Sequence, residues 1–266
     1  MIPTSTIEAL SRCFTGLSEL GAALTDEQWA APTDLPAWSV KDNLSHLVAI
    51  ERSLHGLERT THRAADTSHT KNPIGEANEH EVDARRGLAG AEVLAEWDEI
   101  AAARIATLRS ADDAYFDAPA MTPTGPGTVA DFLSIRVLDC WVHEQDMRRA
   151  VGIPGHLSGP AAEHTIDRLV RTLPIVVGKR AATPEGGAVV IDITGGVTRH
   201  IVCEVTGGRA AVVASPTAEP LATITLDTEA FLVLATGRRT HEQVEAGVTG
   251  DAELAARVLG AMNMMI

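Results

Sequence analysis

The chain has 266 residues, with 36 acidic and 22 basic side chains and a formal net charge of −14. That balance excludes a general nucleic-acid surface, which needs basic stripes, although a local arginine can still reverse the field inside a pocket and admit a small anion. The length fits two domains or one large one, and no apolar run approaches the ~20 residues of a membrane helix.

The first amphipathic pattern runs from Thr6 to Leu24, with Ile7, Leu10, Phe14, Leu17, Leu20 and Leu24 at three- and four-residue steps. Met1-Ile-Pro-Thr-Ser ahead of it lacks the basic and apolar regions of a signal peptide, and Thr4 or Ser5 is the expected cap. Thr25 to Trp29 opens a short turn or helix, ended by Pro32 and Pro36. A second long helix is predicted from Ser39 to about Leu57, opened by a capping-box-like pair, Ser39 and Asp42. Residues 59 to 80 read as a polar loop carrying His62, His69 and His80, irregularly spaced and mostly exposed. A loop of that length in a compact domain is more often functional or mobile than structural.

A third helix is expected over Ala89 to Arg109, then a Pro/Gly/Thr-rich breaker from Pro119 to Gly127. The fourth runs from Thr128 to about Gly152, where Gly152 fits a C-terminal cap and Pro154 a stop. Four long amphipathic helices in about 150 residues make a helical bundle. After a helical segment from Pro160 to Val177 come short β-rich runs at 188–194, 198–205, 210–214 and 222–226. Gly195-Gly196 and Gly207-Gly208 separate the first three, as in consecutive hairpins. Helices over 227–235 and 251–262 complete an α+β half with an antiparallel sheet. The expected domains are 1–155 and 156–266.

One stretch carries chemistry: Val137-Leu-Asp-Cys-Trp-Val-His-Glu-Gln-Asp146. On a helix Asp139 and His143 share a face one turn apart, and an oxygen and an imidazole so placed can hold one divalent metal. His46, on the second helix between Leu44 and Leu47, is the best third ligand. The plain alternative is a surface Asp/His hydrogen bond, but the apolar surroundings Ile135, Leu138, Val142 and Met147 argue for a buried acid that needs a partner or a metal. Cys140 adjoins Asp139, yet i and i+1 residues point apart on a helix; a buried structural thiol is the reading. The three cysteines, Cys13, Cys140 and Cys203, form no CxxC or disulfide framework, so a reducing cytoplasm is expected. Asp146 is either a partner of His143 or an ion-pair partner of Arg148 or Arg149.

The stretch Pro36-Ala-Trp-Ser-Val-Lys-Asp-Asn-Leu-Ser-His-Leu47, the Trp-Val-His-Glu-Gln-Asp-Met-Arg-Arg core of Val137 to Ala150, and the tail Gly250-Asp-Ala-Glu-Leu-Ala-Ala-Arg-Val-Leu259 resemble the mycothiol-dependent maleylpyruvate isomerase family. The resemblance implies a DinB-like four-helix metal-binding domain followed by a small α+β domain similar to sterol-carrier proteins. It places the metal triad on His46, Asp139 and His143, with Glu in the isomerase where this chain has Asp139. It implies zinc, or another divalent metal, and mycothiol as cosubstrate. It also implies a catalytic arginine in the Thr236-Gly237-Arg238-Arg239 turn, assigned to Arg238 with Arg239 as its neighbour; two arginines capping the preceding helix are the alternative. The expected function is cis–trans isomerisation of a maleylpyruvate-like acid or transfer of the thiol to an electrophile. Partners would be a small thiol and an unsaturated or electrophilic acid, without nucleic acid or membrane. The other reading is a non-catalytic binding protein whose metal is structural.

Overall fold

The structure, a computed structural model, describes residues 1–265. It divides into two compact units, Met1–His156 and Leu157–Met265.

In the first unit, α1 (Thr4–Ala22) buries Ile7, Leu10, Phe14, Leu17 and Leu20. It begins two residues earlier than the apolar pattern suggests, so Thr4 and Ser5 lie inside its first turn and no side chain caps it. The short α2 (Asp26–Trp29) starts from a capping box of Thr25 and Gln28. The expected box opens α3 (Val40–Leu54): the Ser39 amide donates to Asp42 Oδ2 at 2.8 Å and the Asp42 amide to Ser39 Oγ at 3.2 Å.

The expected loop at 59–80 is corrected in its second half. Residues Pro73–Asp83 form α4, capped by Asn72, whose Oδ1 accepts from the Gly75 amide at 2.9 Å, with Pro73 in the first turn. The apolar periodicity that marks a helix is missing here because α4 buries Glu79 and Glu81 alongside Val82. Ion pairs hold these acids: Glu81 meets Arg59 and Arg85, and Glu79 meets Arg86.

The helix α5 (Gly90–Ser110) buries Val93, Trp97, Ile100 and Leu108, and the short α6 (Asp113–Asp117) follows it. The Pro/Gly/Thr-rich breaker is a two-stranded hairpin, β1 (Pro119–Thr122) with β2 (Gly125–Thr128). It feeds α7 (Val129–Val151), which opens on a Thr128–Asp131 box and ends at Gly152 in the left-handed region, φ +67°. The long helices close a four-membered ring of contacts: α1 packs on α5 and α7, and α3 packs on α5 and α7. This bundle sets α3 beside α7, the two helices that carry the predicted ligands.

The second unit starts with α8 (Pro160–Val170), and a π-helical turn at Ile175–Arg180 ends the helical segment. A five-stranded sheet follows, with β3 (Ala188–Thr194), β4 (Arg199–Thr206), β5 (Arg209–Val213), β6 (Ala222–Asp227) and β7 (Gly247–Gly250) in the order β5-β4-β3-β6-β7. The hairpins β3-β4-β5 are antiparallel as expected. Gly207 and Gly208, both at positive φ, form the two-residue turn between β4 and β5. One pairing in the otherwise antiparallel sheet is parallel, β3 with β6, where Ile191 faces Ile224. The exposed edge strand β7, Gly-Val-Thr-Gly, gives no apolar alternation by which to read it. Helices α9 (Thr228–Ala235) and α10 (Ala252–Gly260) pack on β6. No helix among the described residues is long and apolar enough to cross a membrane.

Candidate metal centre

On α3, Leu44, Leu47 and Val48 are fully buried. His46, 5 % exposed, leaves the same helix toward α7. From α7, Asp139 and His143 project one turn apart to meet it. His46 Nε2 lies 3.3 Å from Asp139 Oδ2, and His143 Nε2 lies 3.5 Å from Asp139 Oδ1. The three predicted residues thus offer two nitrogens and a carboxylate oxygen, all within 4.8 Å of one another, a spread that one divalent ion can span. The His46 and His143 side chains are 6 % and 8 % exposed, whereas that of Asp139 is 24 % exposed, so the cluster opens to solvent on the carboxylate side.

The protonation pattern suits a cation. His143 Nδ1 lies 2.7 Å from Asn43 Oδ1. The Asn43 amide nitrogen donates to Ser39 O at 2.9 Å and to Thr33 Oγ1 at 3.2 Å, which fixes the amide so that its oxygen faces the imidazole. His143 Nδ1 therefore carries a proton, and Nε2 is the nitrogen turned toward the cluster. Burial lowers the pKa of His46 despite the neighbouring Asp139, which keeps it a neutral imidazole. Burial also opposes charge on His143, but Asp139 and Asp146 outweigh it and raise its pKa. A divalent cation at Nε2 meets the same two carboxylates. For Asp139, burial is outweighed by the Arg136 charge and by hydrogen bonds from His143 and His46, and its pKa falls well below the usual carboxylate range. The donor set fits a divalent metal.

A second ring of residues was not legible as part of the site. Arg136, one turn before Asp139, hydrogen-bonds its Oδ2 and reaches Glu51 Oε1 at 2.8 Å. Glu51 is fully buried and also takes Arg104 Nε at 3.0 Å. Each buried carboxylate here meets a guanidinium, which offsets its desolvation. The i, i+3 spacing of Arg136 to Asp139 and of Asn43 to His46 was the available signal, and only burial gives it meaning. Asp146 joins both expected roles. Its Oδ2 lies 3.5 Å from His143 Nδ1, and Oδ1 is bound by Arg149, which also reaches Asp34 Oδ2 at 2.9 Å.

Other residues singled out in the sequence lie elsewhere. Cys140 is outside the cluster; burial raises its thiol pKa well above the ordinary value, and its sulfur accepts from Arg136 Nη2 at 3.3 Å. His62 pairs with Asp83 at 2.6 Å and His69 with Glu79 at 3.0 Å, while His80 Nδ1 accepts from the Ala64 amide at 3.2 Å. In the second unit, Gly237 (φ +67°) ends α9: its amide donates to Leu234 O and the Arg238 amide to Val233 O, and the Arg238 side chain adds a bond at the same helix end, as in the capping alternative. The half-buried Arg238 side chain donates to Thr236 O at 3.1 Å, and Arg239 is exposed.

Residues 10–148 match the family model described as the mycothiol maleylpyruvate isomerase N-terminal domain, and residues 163–257 match the MDMPI C-terminal domain. The chain belongs to the mycothiol maleylpyruvate isomerase family. Two solved structures share the family's fold. The mycothiol-dependent maleylpyruvate isomerase and a single-site variant of it are each 15 % identical to this chain, with a TM-score of 0.51 and 93 % of both chains covered. No curated protein matches the sequence. Within the family's N-terminal match fall all three residues of the His/Asp/His cluster, and within the C-terminal match falls Arg238.

Proposed function

We propose that this protein is a metal-dependent enzyme that uses mycothiol, or a similar low-molecular-weight thiol, to isomerise a maleylpyruvate-like acid. The observation that carries the reading is the three-ligand cluster itself, with the His143 tautomer set by Asn43 and its open side at Asp139. His46, Asp139 and His143 hold the ion, assigned as Zn2+ from two imidazoles and one carboxylate. When bound, the ion supplies acidity to a thiol, so that sulfur is nucleophilic at neutral pH. Three protein ligands suit a catalytic metal with a position left for a reactant, whereas a structural zinc takes four. That distinction favours an enzyme over a non-catalytic binding protein.

The chain's own residues set up the rest. Arg136 holds the Asp139 carboxylate in place, and Asn43 holds the His143 ring. The thiolate adds to the conjugated double bond of the acid, the resulting single bond rotates, and expulsion of the thiolate restores the double bond in the trans form. Arg238 is assigned the substrate's carboxylate, which a guanidinium can bind through two parallel hydrogen bonds. A second reading, transfer of the thiol to an electrophile, uses the same ligands. Asp139, one methylene shorter than the glutamate that the resemblance implies for the isomerase, leaves the choice of substrate to the rest of the pocket.

The test is turnover by zinc-loaded protein of maleylpyruvate with mycothiol, beside consumption of mycothiol with an alkylating electrophile. Thiol-dependent cis–trans conversion, abolished in His46→Ala, is the expected result. Thiol consumption without isomerisation selects the transferase. No thiol-dependent turnover in either assay, with metal fully bound, overturns the enzymatic reading.

A further inference from the structure

The loop before α3 brings Trp38 onto the ligand cluster. The indole centroid lies 5.3 Å from the His46 ring and 5.9 Å from the His143 ring, tilted 42° and 34° to them. The two imidazoles are themselves 4.9 Å apart, so one indole spans both ligands. Trp97 and Trp141 are fully buried core residues, but Trp38 is only half-buried. It therefore keeps part of its surface open to solvent.

The fold fixes this indole tightly. Trp38 O accepts from the Thr33 amide at 3.1 Å and from Thr33 Oγ1 at 2.9 Å, and the Trp38 amide donates to Leu35 O at 3.2 Å. Ala37, just before it, takes φ +64°, a left-handed conformation that costs a residue with a β-carbon. The indole N–H donates to Glu79 Oε2 at 2.8 Å. Glu79 is fully buried, and His69 Nε2 at 3.0 Å and Arg86 Nη1 at 2.7 Å also meet it. Burying a carboxylate is costly, and packing an indole does not require one. A strained loop and a buried acid converging on one half-exposed ring beside two ligands point to the ring's orientation as the purpose.

We propose that Trp38 is the aromatic wall of the substrate position and that Glu79 is its positioning residue, so that the site prefers a planar, conjugated acid over a saturated one. This rests on the reading above, in which an acid substrate reaches the cluster. The face of the indole stacks on a flat π system and gains less from a puckered chain. His69 and Arg86 hold Glu79, and through it the 59–89 segment reaches the site without a ligand of its own.

The experiment measures calorimetric binding of fumarate and of succinate, which carry the same two carboxylates, to zinc-loaded wild type, Trp38→Leu, Trp38→Phe and Glu79→Gln, with zinc content measured on every sample. Wild type should prefer fumarate by about five-fold, the scale of one aromatic contact. Trp38→Phe keeps the preference, Trp38→Leu loses it with zinc content unchanged, and Glu79→Gln reduces it while shifting the Trp38 indole N–H resonance. A wild type without preference, or a preference that survives in Trp38→Leu, overturns the proposal and leaves the metal site standing. If Trp38→Leu does not fold, a Glu79→Gln protein with unchanged preference and unchanged indole resonance overturns it. A wild type that takes up no zinc removes the metal reading and this inference together.

Discussion

Replacing Asn43 with leucine tests how the metal centre is pre-set. The side chain is fully buried and of similar size to leucine, so the change removes hydrogen bonds with little change in volume. Three contacts go: the 2.7 Å bond from His143 Nδ1, and the amide bonds to Ser39 O and Thr33 Oγ1. Ser39 O keeps the Asn43 backbone amide at 3.1 Å, and Thr33 Oγ1 still donates to Trp38 O, so the uncompensated loss falls on His143. Its nearest remaining acceptor is Asp146 Oδ2 at 3.5 Å. A buried N–H without a good partner costs about 1–3 kcal/mol, which denaturation of the metal-free protein should register. Freed to rotate or to protonate Nε2, the imidazole becomes a poorer ligand. Loss of such an orienting partner typically lowers metal affinity about 10- to 100-fold, or roughly 1.4–2.7 kcal/mol. Zinc affinity measured by competition with a chromophoric chelator should fall by that factor in Asn43→Leu and recover in large part in Asn43→Asp, which restores an acceptor. A folded Asn43→Leu protein with wild-type zinc affinity refutes the tautomer argument.

Other outcomes follow from the same contacts. Gly16→Ala places a β-carbon 2.8 Å from Glu144 Oε1 and 2.9 Å from His156 Nδ1, a buried carboxylate and its half-buried hydrogen-bond partner, which must shift to admit it; chemical denaturation should show a loss of about 1–3 kcal/mol. All three thiols are buried, with Cys203 pushed up to about 12 and Cys13 and Cys140 also raised by burial. An aromatic disulfide reagent at neutral pH should label none of them until denaturant is added; rapid labelling of the native protein contradicts the packing. In the metal-free protein the depressed pKa of Asp139 contributes stability above the unfolded carboxylate value of about 3.9, lost as pH falls through the lower folded value. Asp139→Asn should therefore flatten the acid limb of a stability–pH profile. Arg238→Gln should raise the KM for an acid substrate more than it lowers kcat, and an unchanged KM would remove Arg238 from substrate binding.

The ligand triad was legible because helical geometry is local. Asp139 and His143 are four residues apart on one helix, and His46 sits in a capped helix whose apolar positions show which face is inward. What completes the site depends on contacts across helices, which the sequence does not spell out. Arg136 reads as an ordinary surface cation until Glu51 and Arg104 are seen around it. Asn43 gains its role only because α7 brings His143 to it. The same limit explains α4: beside Val82 its buried side chains are acids satisfied by Arg59, Arg85 and Arg86 from outside the helix, so hydrophobic periodicity had little to detect. In the second unit the glycine pairs announce the hairpins, but nothing local states that β6 runs parallel to β3.

The central claim, one divalent metal held by His46, Asp139 and His143, is tested most directly by elemental analysis of the purified protein beside His46→Ala and His143→Ala. The account predicts close to one equivalent of zinc per chain in the wild type and loss of that metal in both variants, with each variant folded by circular dichroism. Metal content that is the same in all three proteins would contradict it.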